Sequence, residues 1–369
     1  MINPFYERLA KLAINYSLNV EKGERIIVTG PAFAKELFQA VYVEILKAGA
    51  HPLLFPNIEG TDELKYKYST EEQLLYVDPI QKQLIQEIDG YIVIHGDYNV
   101  RKFGMVDPKL IAKSNSSPDR RAIWEILMER IGKRNLKYLI VPYACNSFAQ
   151  EASMDLNSYF EFIKKALFLD KEDPVKYWLE LEKKQEEICK ALKNTKKIQV
   201  IGEDTDLTMS VEARHWISEC GHLNLPDGEI YTAPIEDSVN GSIRFTFPGI
   251  FQGNEIQNIY LEFKDGRVIK STADKGEELL HQLLKIENTD IIGEFAIGTN
   301  DGITKFTKNM LFDEKIGGTI HCALGSGLVE AGSKNKSAVH WDILKDMRIP
   351  GSKILADNKI IYEEGEWKI

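Results

Sequence analysis

Near the C-terminal end of the chain, a histidine and an aspartate lie two positions apart in an otherwise apolar run. The run reads VHWDIL, and its polar members are His340 and Asp342. In a β-strand, side chains two positions apart point to the same face, so this pair would share one face and its apolar neighbours the other. Each unpaired polar group on a buried face costs about 1–3 kcal/mol. The pair is therefore either a hydrogen-bonded structural pair or two ligands of one metal site.

Four more acidic or histidine residues occur upstream in short apolar or glycine-bounded contexts. They are Glu229 in LPDGEIYTAP, Glu294 in IIGEFAIG, Glu314 in MLFDEK and His321 in GGTIHCALG. Taken singly, Glu229 fits a carboxylate at the edge of a strand, Glu314 a surface residue and His321 a core histidine with satisfied hydrogen bonds. Glu294 differs from these, because a lone carboxylate in an apolar run requires pairing, neutralisation or a metal ion.

Taken together, three glutamates, two histidines and one aspartate form a donor set suited to two divalent ions. Zinc, cobalt and manganese accept mixed imidazole and carboxylate ligands. One carboxylate can bridge two ions about 3.5–4 Å apart, and such a pair activates water near neutral pH and polarises a carbonyl group. Composition by itself does not establish that residues spread from 229 to 342 converge in space.

The residues upstream predict a first domain with alternating strands and helices. This alternation is typical of an open α/β domain with a parallel sheet. An amphipathic helix is predicted at the N-terminus; further on, the predicted strands are 25–29, 52–55, 91–96 and 138–143, and the predicted helices are 32–48, 71–87 and 119–131. The glycine pattern after the first strand, TGPAFAKE, matches neither nucleotide-binding consensus, so we interpret it as an ordinary turn.

A charged helix, predicted for residues 174–193, leads to a region of different character. This region has short strands, glycine-rich turns and few long helices, of which 274–286 is the clearest. Asp265 and Gly266 between two strand-like segments predict a hairpin turn. We therefore expect an α/β N-terminal domain with a parallel sheet, residues 1–195, and an α+β, mostly β metal-binding domain, residues 196–369.

Composition excludes several classes of protein. The chain has 369 residues and a formal net charge of −10, which argues against binding of nucleic acids or anionic membranes. It has four cysteines without CxxC spacing, which argues against a cysteine-type zinc site and favours a reducing compartment. There is no signal-peptide pattern, no apolar window of about 20 residues and no GxSxG serine-hydrolase motif. We predict a cytoplasmic protein.

The candidate ligands and their surroundings resemble the metal motifs of the M29 family, the metal-dependent aminopeptidases known as thermophilic aminopeptidases or aminopeptidases T. The segments NLPDGEIYTAP, IGEFAIG, LFDE, HCALG and HWD occur in the family's order. The N-terminal α/β region is also similar to the family's first domain, so the resemblance covers nearly the whole chain.

This resemblance implies a metalloaminopeptidase, an exopeptidase that removes the N-terminal residue from peptides with a free N-terminus. It implies a hydroxide activated by two divalent ions, which could be Zn, Co, Mn or Mg, and a homodimer whose active sites face an internal cavity. Glu294 would bridge the two ions. The implied metal ligands are Glu229, Glu294, Glu314, His321, His340 and Asp342.

Two features depart from the family pattern. The family has a tyrosine that helps to stabilise the transition state seven residues after the histidine of the HxALG motif, and this chain has Leu328 there. Leucine cannot donate a hydrogen bond, and loss of one oxyanion donor lowers rates by about 10²–10³. The spacing between Glu314 and His321 is also longer than in the family.

Three alternatives to an aminopeptidase stay open, the first two of them because of Leu328. The first is a related metal-dependent hydrolase that acts on another amide or small molecule. The second is a non-catalytic binding protein that keeps the metal site for stability, and the third is an α/β protein without metal. The sequence does not identify a general base, the metal or the preferred N-terminal residue.

Overall fold

The computed structural model describes residues 3–369, so the first two residues of the predicted N-terminal helix lie outside the described residues. The chain forms two compact units. One comprises the chain up to Val175 together with His222–Leu225, and the other comprises Lys176–Gly221 and Pro226–Ile369. The division falls within the helix Pro174–Leu192, which corresponds to the charged helix expected from the sequence.

The first unit is built on a four-stranded parallel sheet. Its strands are β1 (Arg25–Pro31), β2 (His51–Asn57), β3 (Gly90–His95) and β4 (Lys137–Pro142), in the order β2-β1-β3-β4. Its helices are α1 (Pro4–Leu12), α2 (Lys35–Lys47), α3 (Thr61–Tyr68), α4 (Glu71–Leu75), α5 (Pro79–Glu87), α6 (Pro108–Asn115), α7 (Pro118–Gly132), α8 (Asn146–Glu151) and α9 (Leu156–Ala166). The three strand pairs are parallel, which confirms the predicted α/β class.

The predicted helix over residues 71–87 is wrong, because two helices occupy this segment. Thr70 begins α4 with a capping box that includes Gln73. Asp78 begins α5 by accepting a hydrogen bond from the backbone of Ile80. Pro79 is the first residue of α5 and has no N–H with which to continue the preceding helix, which explains the break. Helices α3, α6, α8 and α9 were not predicted. Helix α3 has no buried residues, so it shows little apolar periodicity.

The second unit is mostly β-structure, as predicted for the C-terminal region. It contains α10 (Pro174–Leu192), α11 (Glu277–Leu283) and α12 (Met310–Asp313). Its strands are β5 (Lys197–Gly202), β6 (Thr205–Ser210), β7 (Ile217–Glu219), β8 (Glu229–Thr232), β9 (Asn240–Arg244), β10 (Gly249–Phe251), β11 (Asn254–Ile256), β12 (Tyr260–Lys264), β13 (Arg267–Thr272), β14 (Ile292–Gly298), β15 (Thr319–Gly325), β16 (His340–Asp346), β17 (Lys353–Ala356), β18 (Lys359–Glu363) and β19 (Glu366–Trp367).

Two antiparallel sheets share the hydrophobic core of this unit. One has eight strands in the order β13-β12-β9-β6-β5-β17-β18-β19, and the other has five in the order β16-β15-β14-β8-β7. Phe295, Cys322 and Ile343 of the five-stranded sheet belong to the same buried cluster as Val200 and Leu261 of the eight-stranded sheet. The five-stranded sheet therefore has one face in the core and its other face available for different side chains.

The hairpin predicted at Asp265 and Gly266 joins β12 to β13, which pair in antiparallel fashion. Both turn residues have positive φ, 49° for Asp265 and 81° for Gly266. A two-residue turn with two positive φ values matches the twist of the flanking strands. A Cβ added to Gly266 would lie 1.8 Å from the carbonyl oxygen of Glu236. This position therefore requires glycine both for its backbone conformation and for its lack of a side chain.

We expect Gly266→Ala to lower the free energy of unfolding by about 2–3 kcal/mol, because left-handed strain adds to a backbone clash. Gly351→Ala is the matched control, since Gly351 has φ 83° and a Cβ there would meet no atom within 4 Å. The control should lose only about 1 kcal/mol. Urea unfolding followed by circular dichroism measures both values. Equal losses would show that the carbonyl of Glu236 moves away at no cost.

Candidate metal centre

Five of the six predicted ligands lie on one face of the five-stranded sheet. Residues of these strands alternate between the core and this face, except at a β-bulge between Ile292 and Glu294 in β14. The ligands and their apolar neighbours therefore separate, as expected for His340 and Asp342. Trp341 and Ile343 lie in the core, between and beside the two polar residues. The five ligands come from four adjacent strands: Glu229 on β8, Glu294 on β14, His321 on β15, and His340 and Asp342 on β16.

Each of these five side chains has a glycine or alanine as a cross-strand partner. Long residues at those positions would fill the space above the sheet, since side chains directly opposite each other have Cβ atoms about 4.5–5.5 Å apart. Small partners leave this space to the carboxylates and imidazoles. The pairs are Glu229 with Gly298, Glu294 with Ala323, His321 with Ala296, His340 with Gly325, and Asp342 with Ala323.

The side chains converge in two groups of potential ligands. The first group is Glu229, Glu294 and His321, and the second is Glu294, His340 and Asp342. In each group, one ligand atom from every residue lies within 4.8 Å of the others. Residues separated by more than a hundred positions in the chain thus meet in one cluster, which the sequence by itself did not establish.

Glu294 belongs to both groups and offers a different oxygen to each. Its Oε1 lies 3.5 Å from Nε2 of His321, and its Oε2 lies 3.4 Å from Nε2 of His340. The remaining members complete the groups: Glu229 Oε2 is 3.2 Å from His321 Nε2, and Asp342 Oδ1 is 3.5 Å from His340 Nε2. This is the geometry of a carboxylate that can contact two cations at once.

The ring of His340 is oriented by the backbone. Its Nδ1 donates a hydrogen bond of 2.7 Å to the carbonyl oxygen of Ser326. Because a carbonyl can only accept, Nδ1 carries a proton, and Nε2 is left to face the carboxylates. Metal-binding histidines commonly show this arrangement, in which the second ring nitrogen fixes the tautomer. His340 is also the most exposed of the five, with 35% of its side chain accessible.

The buried carboxylates make this site strongly attractive to cations. Burial alone would lower the pKa of His340, but Asp342 and then Glu294 outweigh it and raise that pKa to about 10. Burial would likewise lower the pKa of His321, but the nearby carboxylates of Glu229 and Glu294 outweigh it and raise that pKa well above its usual value. The imidazoles are thus drawn toward the charged form by the surrounding negative charge, which a divalent ion would neutralise instead.

The donor atoms in this cluster fit a metal ion. Within residues 3–369, Glu229 Oε2 and Asp342 Oδ1 are buried and form no hydrogen bond of normal geometry, although imidazole nitrogens lie at ion-pair distances from them. Buried carboxylate oxygens without donors are costly, and metal coordination is one way to satisfy them. A set of carboxylates and imidazoles suits zinc, cobalt or manganese.

The sixth predicted ligand, Glu314, lies beside the cluster but belongs to neither group. It directly follows α12, and its Oε1 forms an ion pair with Nζ of Lys315. Burial raises the pKa of Glu314 to about 8, against the opposing charge of Lys315. The interpretation of MLFDEK as a surface segment is wrong, because Asp313 and Lys315 are both fully buried. Three adjacent charged residues resemble a surface segment, and only their tertiary contacts show otherwise.

Sequence reasoning missed three charged residues near the site. Lys315 forms an ion pair of 3.6 Å with Oε1 of Glu229. Asp227 is fully buried and accepts hydrogen bonds from the backbone of Gly221 and Gly228. Glu219 on β7 is the cross-strand neighbour of Glu229. Of these, only Asp227 could have been noticed in the sequence, because it is an acidic residue two positions before the candidate ligand Glu229. An aspartate in a Pro-Asp-Gly turn is equally expected at that position, however, so the sequence did not single it out.

Leu328, at the position of the expected tyrosine, lies close to this face of the sheet. It packs against a buried cluster formed by Tyr231, Ala233, Ala296 and Ala331. Tyr231 lies two positions after Glu229 on β8, and Ala296 lies two positions after Glu294 on β14, so both share a strand face with a proposed ligand. The hydroxyl group of Tyr231 donates a hydrogen bond of 3.2 Å to Glu330. A phenol is therefore present beside the position that carries leucine.

An α/β unit joined to a β-rich unit with a buried carboxylate–histidine cluster defines a protein of the metalloenzyme type. A family model described as thermophilic metalloprotease (M29) matches residues 3–367. The chain is 26% identical to "Aminopeptidase 2" of Geobacillus stearothermophilus, over 98% of this chain and 97% of that protein. The chain therefore belongs to the thermophilic metalloprotease (M29) family. This confirms the predicted family and the prediction of a metal-dependent peptidase.

Two solved structures share the fold. Wild-type AmpT from Thermus thermophilus matches with a TM-score of 0.85 at 21% identity, over 99% of each chain. A 2,5-dihydroxypyridine dioxygenase from Pseudomonas putida matches with a TM-score of 0.55 at 14% identity, over 98% of this chain and 95% of that one. At identities this low, the two matches support the fold only. The reaction has to be inferred from the residues of the site.

Between residues 3 and 369, the structure contains no helix that is both long enough and apolar enough to span a membrane.

We expect a divalent ion such as Co²⁺ or Zn²⁺ to stabilise the protein, because it binds a preformed cluster that the unfolded chain lacks. At about 100 times its Kd, the gain is about 2.7 kcal/mol, seen as a rise in Tm that chelator reverses. Asp342→Asn should lose most of this gain. Asp346→Asn, on the same strand but paired with Arg348, should keep it. An equal gain for both variants would exclude Asp342 as a ligand.

Proposed function

We propose that this protein is an aminopeptidase that removes the N-terminal residue from peptides with a free N-terminus, and that it uses two divalent ions. The observation that carries the proposal is the shared carboxylate of Glu294, which turns one oxygen to each of two ligand groups. The relatives' names support the substrate class, since they are called aminopeptidases. The predicted homodimer and cytoplasmic location stay predictions.

In this proposal, Glu229, Glu294 and His321 hold one ion, and Glu294, His340 and Asp342 hold the other. Two divalent ions in such a site supply an activated water nucleophile at neutral pH and positive charge that polarises the scissile carbonyl. The identity of the ions is left to experiment. Glu314, predicted as a sixth ligand, would contribute from beside the first group.

The chain's own residues orient these groups and leave one side of the cluster open to a substrate. The Ser326 carbonyl keeps the Nε2 atom of His340 directed at the carboxylates. An N-acetylated peptide lacks the free α-amino group that the substrate of an aminopeptidase carries. The partly exposed side chain of His340 indicates the side from which a peptide reaches the cluster.

The direct test compares a short unblocked peptide with its N-acetylated counterpart, using purified protein supplied with Co²⁺ or Zn²⁺. We expect release of the first amino acid from the unblocked peptide only, and loss of release with chelator. His340→Ala should lower the rate by at least about 10²-fold, because a metal ligand is lost. The amount of free amino acid measured over time gives the rate.

The matched control is His281→Ala, since His281 lies on α11, where it is exposed and contacts the Ser271 carbonyl. This variant should keep the wild-type rate. Release from neither peptide by protein that has bound metal would contradict the aminopeptidase proposal and favour the alternatives. Equal release from both peptides would argue that the free amino group is not recognised.

One observation favours a second candidate, a metal-dependent hydrolase that acts on another amide or small molecule. Leu328 occupies the position at which a tyrosine is expected in the M29 family, and leucine cannot stabilise an oxyanion by hydrogen bonding. A fold of this kind also occurs in a protein named as a dioxygenase, so the fold does not select the reaction. The peptide assay separates the two candidates.

We expect Leu328→Tyr to be more active on unblocked peptides than Leu328→Phe. Both rings enlarge a side chain that packs against the cluster around Tyr231, but only tyrosine adds a hydrogen-bond donor. The gain in kcat should be at least about tenfold, toward the 10²–10³ that an oxyanion donor provides. Steady-state kinetics of the two variants measure this ratio. If the two are equally active, a donor at this position has no role in this chain.

A further inference from the structure

A fully buried lysine, Lys315, lies next to the proposed metal ligands. It is 0% exposed, and lysine is among the residues least often found fully buried without a partner. Its Nζ lies 3.6 Å from Oε1 of Glu229 and also forms an ion pair with Glu314. The proposed reaction assigns no role to this ammonium group.

The two oxygens of Glu229 have different surroundings. Oε1 faces the ammonium of Lys315, while Oε2 lies 3.2 Å from Nε2 of His321. A carboxylate that is held at one oxygen by a fixed cation offers only its other oxygen to a second cation. The ammonium of Lys315 thus acts on one oxygen of Glu229 and leaves the other to His321.

We propose, on the basis of the function proposed above, that Lys315 is a positioning residue of the metal centre: its ammonium holds Oε1 of Glu229 so that Oε2 is presented to the ion between His321 and Glu294. Replacing a residue that orients a metal ligand in this way commonly weakens metal binding about 10–100-fold. Lys315 itself binds no metal and contacts no substrate in this proposal.

The backbone of Lys315 holds the ammonium in place. Its N–H donates a hydrogen bond of 3.1 Å to the carbonyl of Phe312, and its carbonyl accepts one of 3.0 Å from Asn300. With the main chain held on both sides and the side chain buried, the ammonium has little freedom to follow a moving carboxylate. This is the property that a positioning residue requires.

The same ammonium also accounts for the position of Glu314. The Oε1 atom of Glu314 is engaged by Lys315, and Glu314 belongs to neither group of converging ligand atoms. Lys315 thus separates the carboxylates at this end of the cluster: it leaves one oxygen of Glu229 for the ion and keeps Glu314 beside it. A lysine that served only to balance charge would not need to favour one oxygen of Glu229.

Co²⁺ binding tests the proposal, because the visible absorption of protein-bound Co²⁺ depends on the geometry of its ligands. Lys315→Met removes the ammonium and keeps much of the side chain's length. We expect its Kd for Co²⁺ to rise about 10–100-fold, and its visible absorption bands to change in position and intensity. Titration calorimetry and absorption spectroscopy on the full chain measure the two effects.

Lys345→Met is the matched control, because Lys345 is the other lysine among the largest fully buried side chains. Its Nζ donates hydrogen bonds to the carbonyls of Arg244 and Glu203, at 3.0 and 3.3 Å. This variant also loses a buried ammonium, but one outside the ligand cluster. We expect its Co²⁺ spectrum and Kd to match those of the wild type even where its Tm is lower.

If Lys315→Met does not fold, two other variants carry the test. Glu314→Gln with Lys315→Met removes the buried ion pair as a unit and is compared with Glu314→Gln alone, so that any contribution of Glu314 to the ion is absent from both. The double variant should show a Co²⁺ spectrum altered relative to that single variant. Lys315→Arg keeps the charge but presents a planar group with different geometry, and should recover part of the affinity. An unchanged Co²⁺ spectrum and Kd in a folded variant that lacks the ammonium would overturn the positioning role.

Failure of this inference is distinguishable from failure of the proposed function. A wild-type protein that releases amino acids from peptides, with a Lys315→Met variant that binds Co²⁺ identically, would overturn only the role of Lys315. A wild-type protein that binds no Co²⁺ would overturn both. Wild-type protein that binds Co²⁺ without peptide hydrolysis, together with an altered spectrum in the variant, would support the positioning role and contradict the peptidase.

Discussion

The two-residue alternation of the sheet β16-β15-β14-β8 is the constraint on which the rest of the site depends. It places Trp341 and Ile343 in the core and His340 and Asp342 on the opposite face of the same strand. The apolar face holds the strands in register by packing, and a shift of one residue would bury the polar set in the core. The hydrophobic core of the second unit thereby fixes the positions of the candidate ligands.

Burying this many carboxylates together is costly, because like charges at short distance repel in a medium of low dielectric constant. The structure compensates with cations of different kinds. Lys315 neutralises the end of the cluster near Glu229 and Glu314, and His321 and His340 are the positive partners in its centre. A divalent ion in the same centre would satisfy more oxygens than a proton on imidazole can. The cluster is therefore better suited to metal binding than to simple ion pairing.

Membership of the M29 family and the geometry of the cluster both indicate metal binding, and they rest on different observations. The family match covers residues 3–367 without reference to any distance, whereas the shared carboxylate of Glu294 follows from distances alone. The fold by itself is less informative, because it also matches a protein named as a dioxygenase. A fold shared by proteins with different names does not select a reaction, so the reaction depends on the side chains of the site.

The sequence by itself determined the class of each half of the chain and five of the residues that converge. Period-two alternation and short motifs reveal strand residues such as His340 and Asp342, because their spacing is local. The break between α4 and α5 also had a local signal, Pro79, which the sequence interpretation did not use. The ion pair of Lys315 with Glu229 and the burial of Asp313 needed the tertiary structure. Charged residues next to one another in DEK have the local pattern of a solvated surface, and only contacts with distant strands decide that they lie inside. Convergence, orientation and burial are long-range properties, which no local pattern encodes.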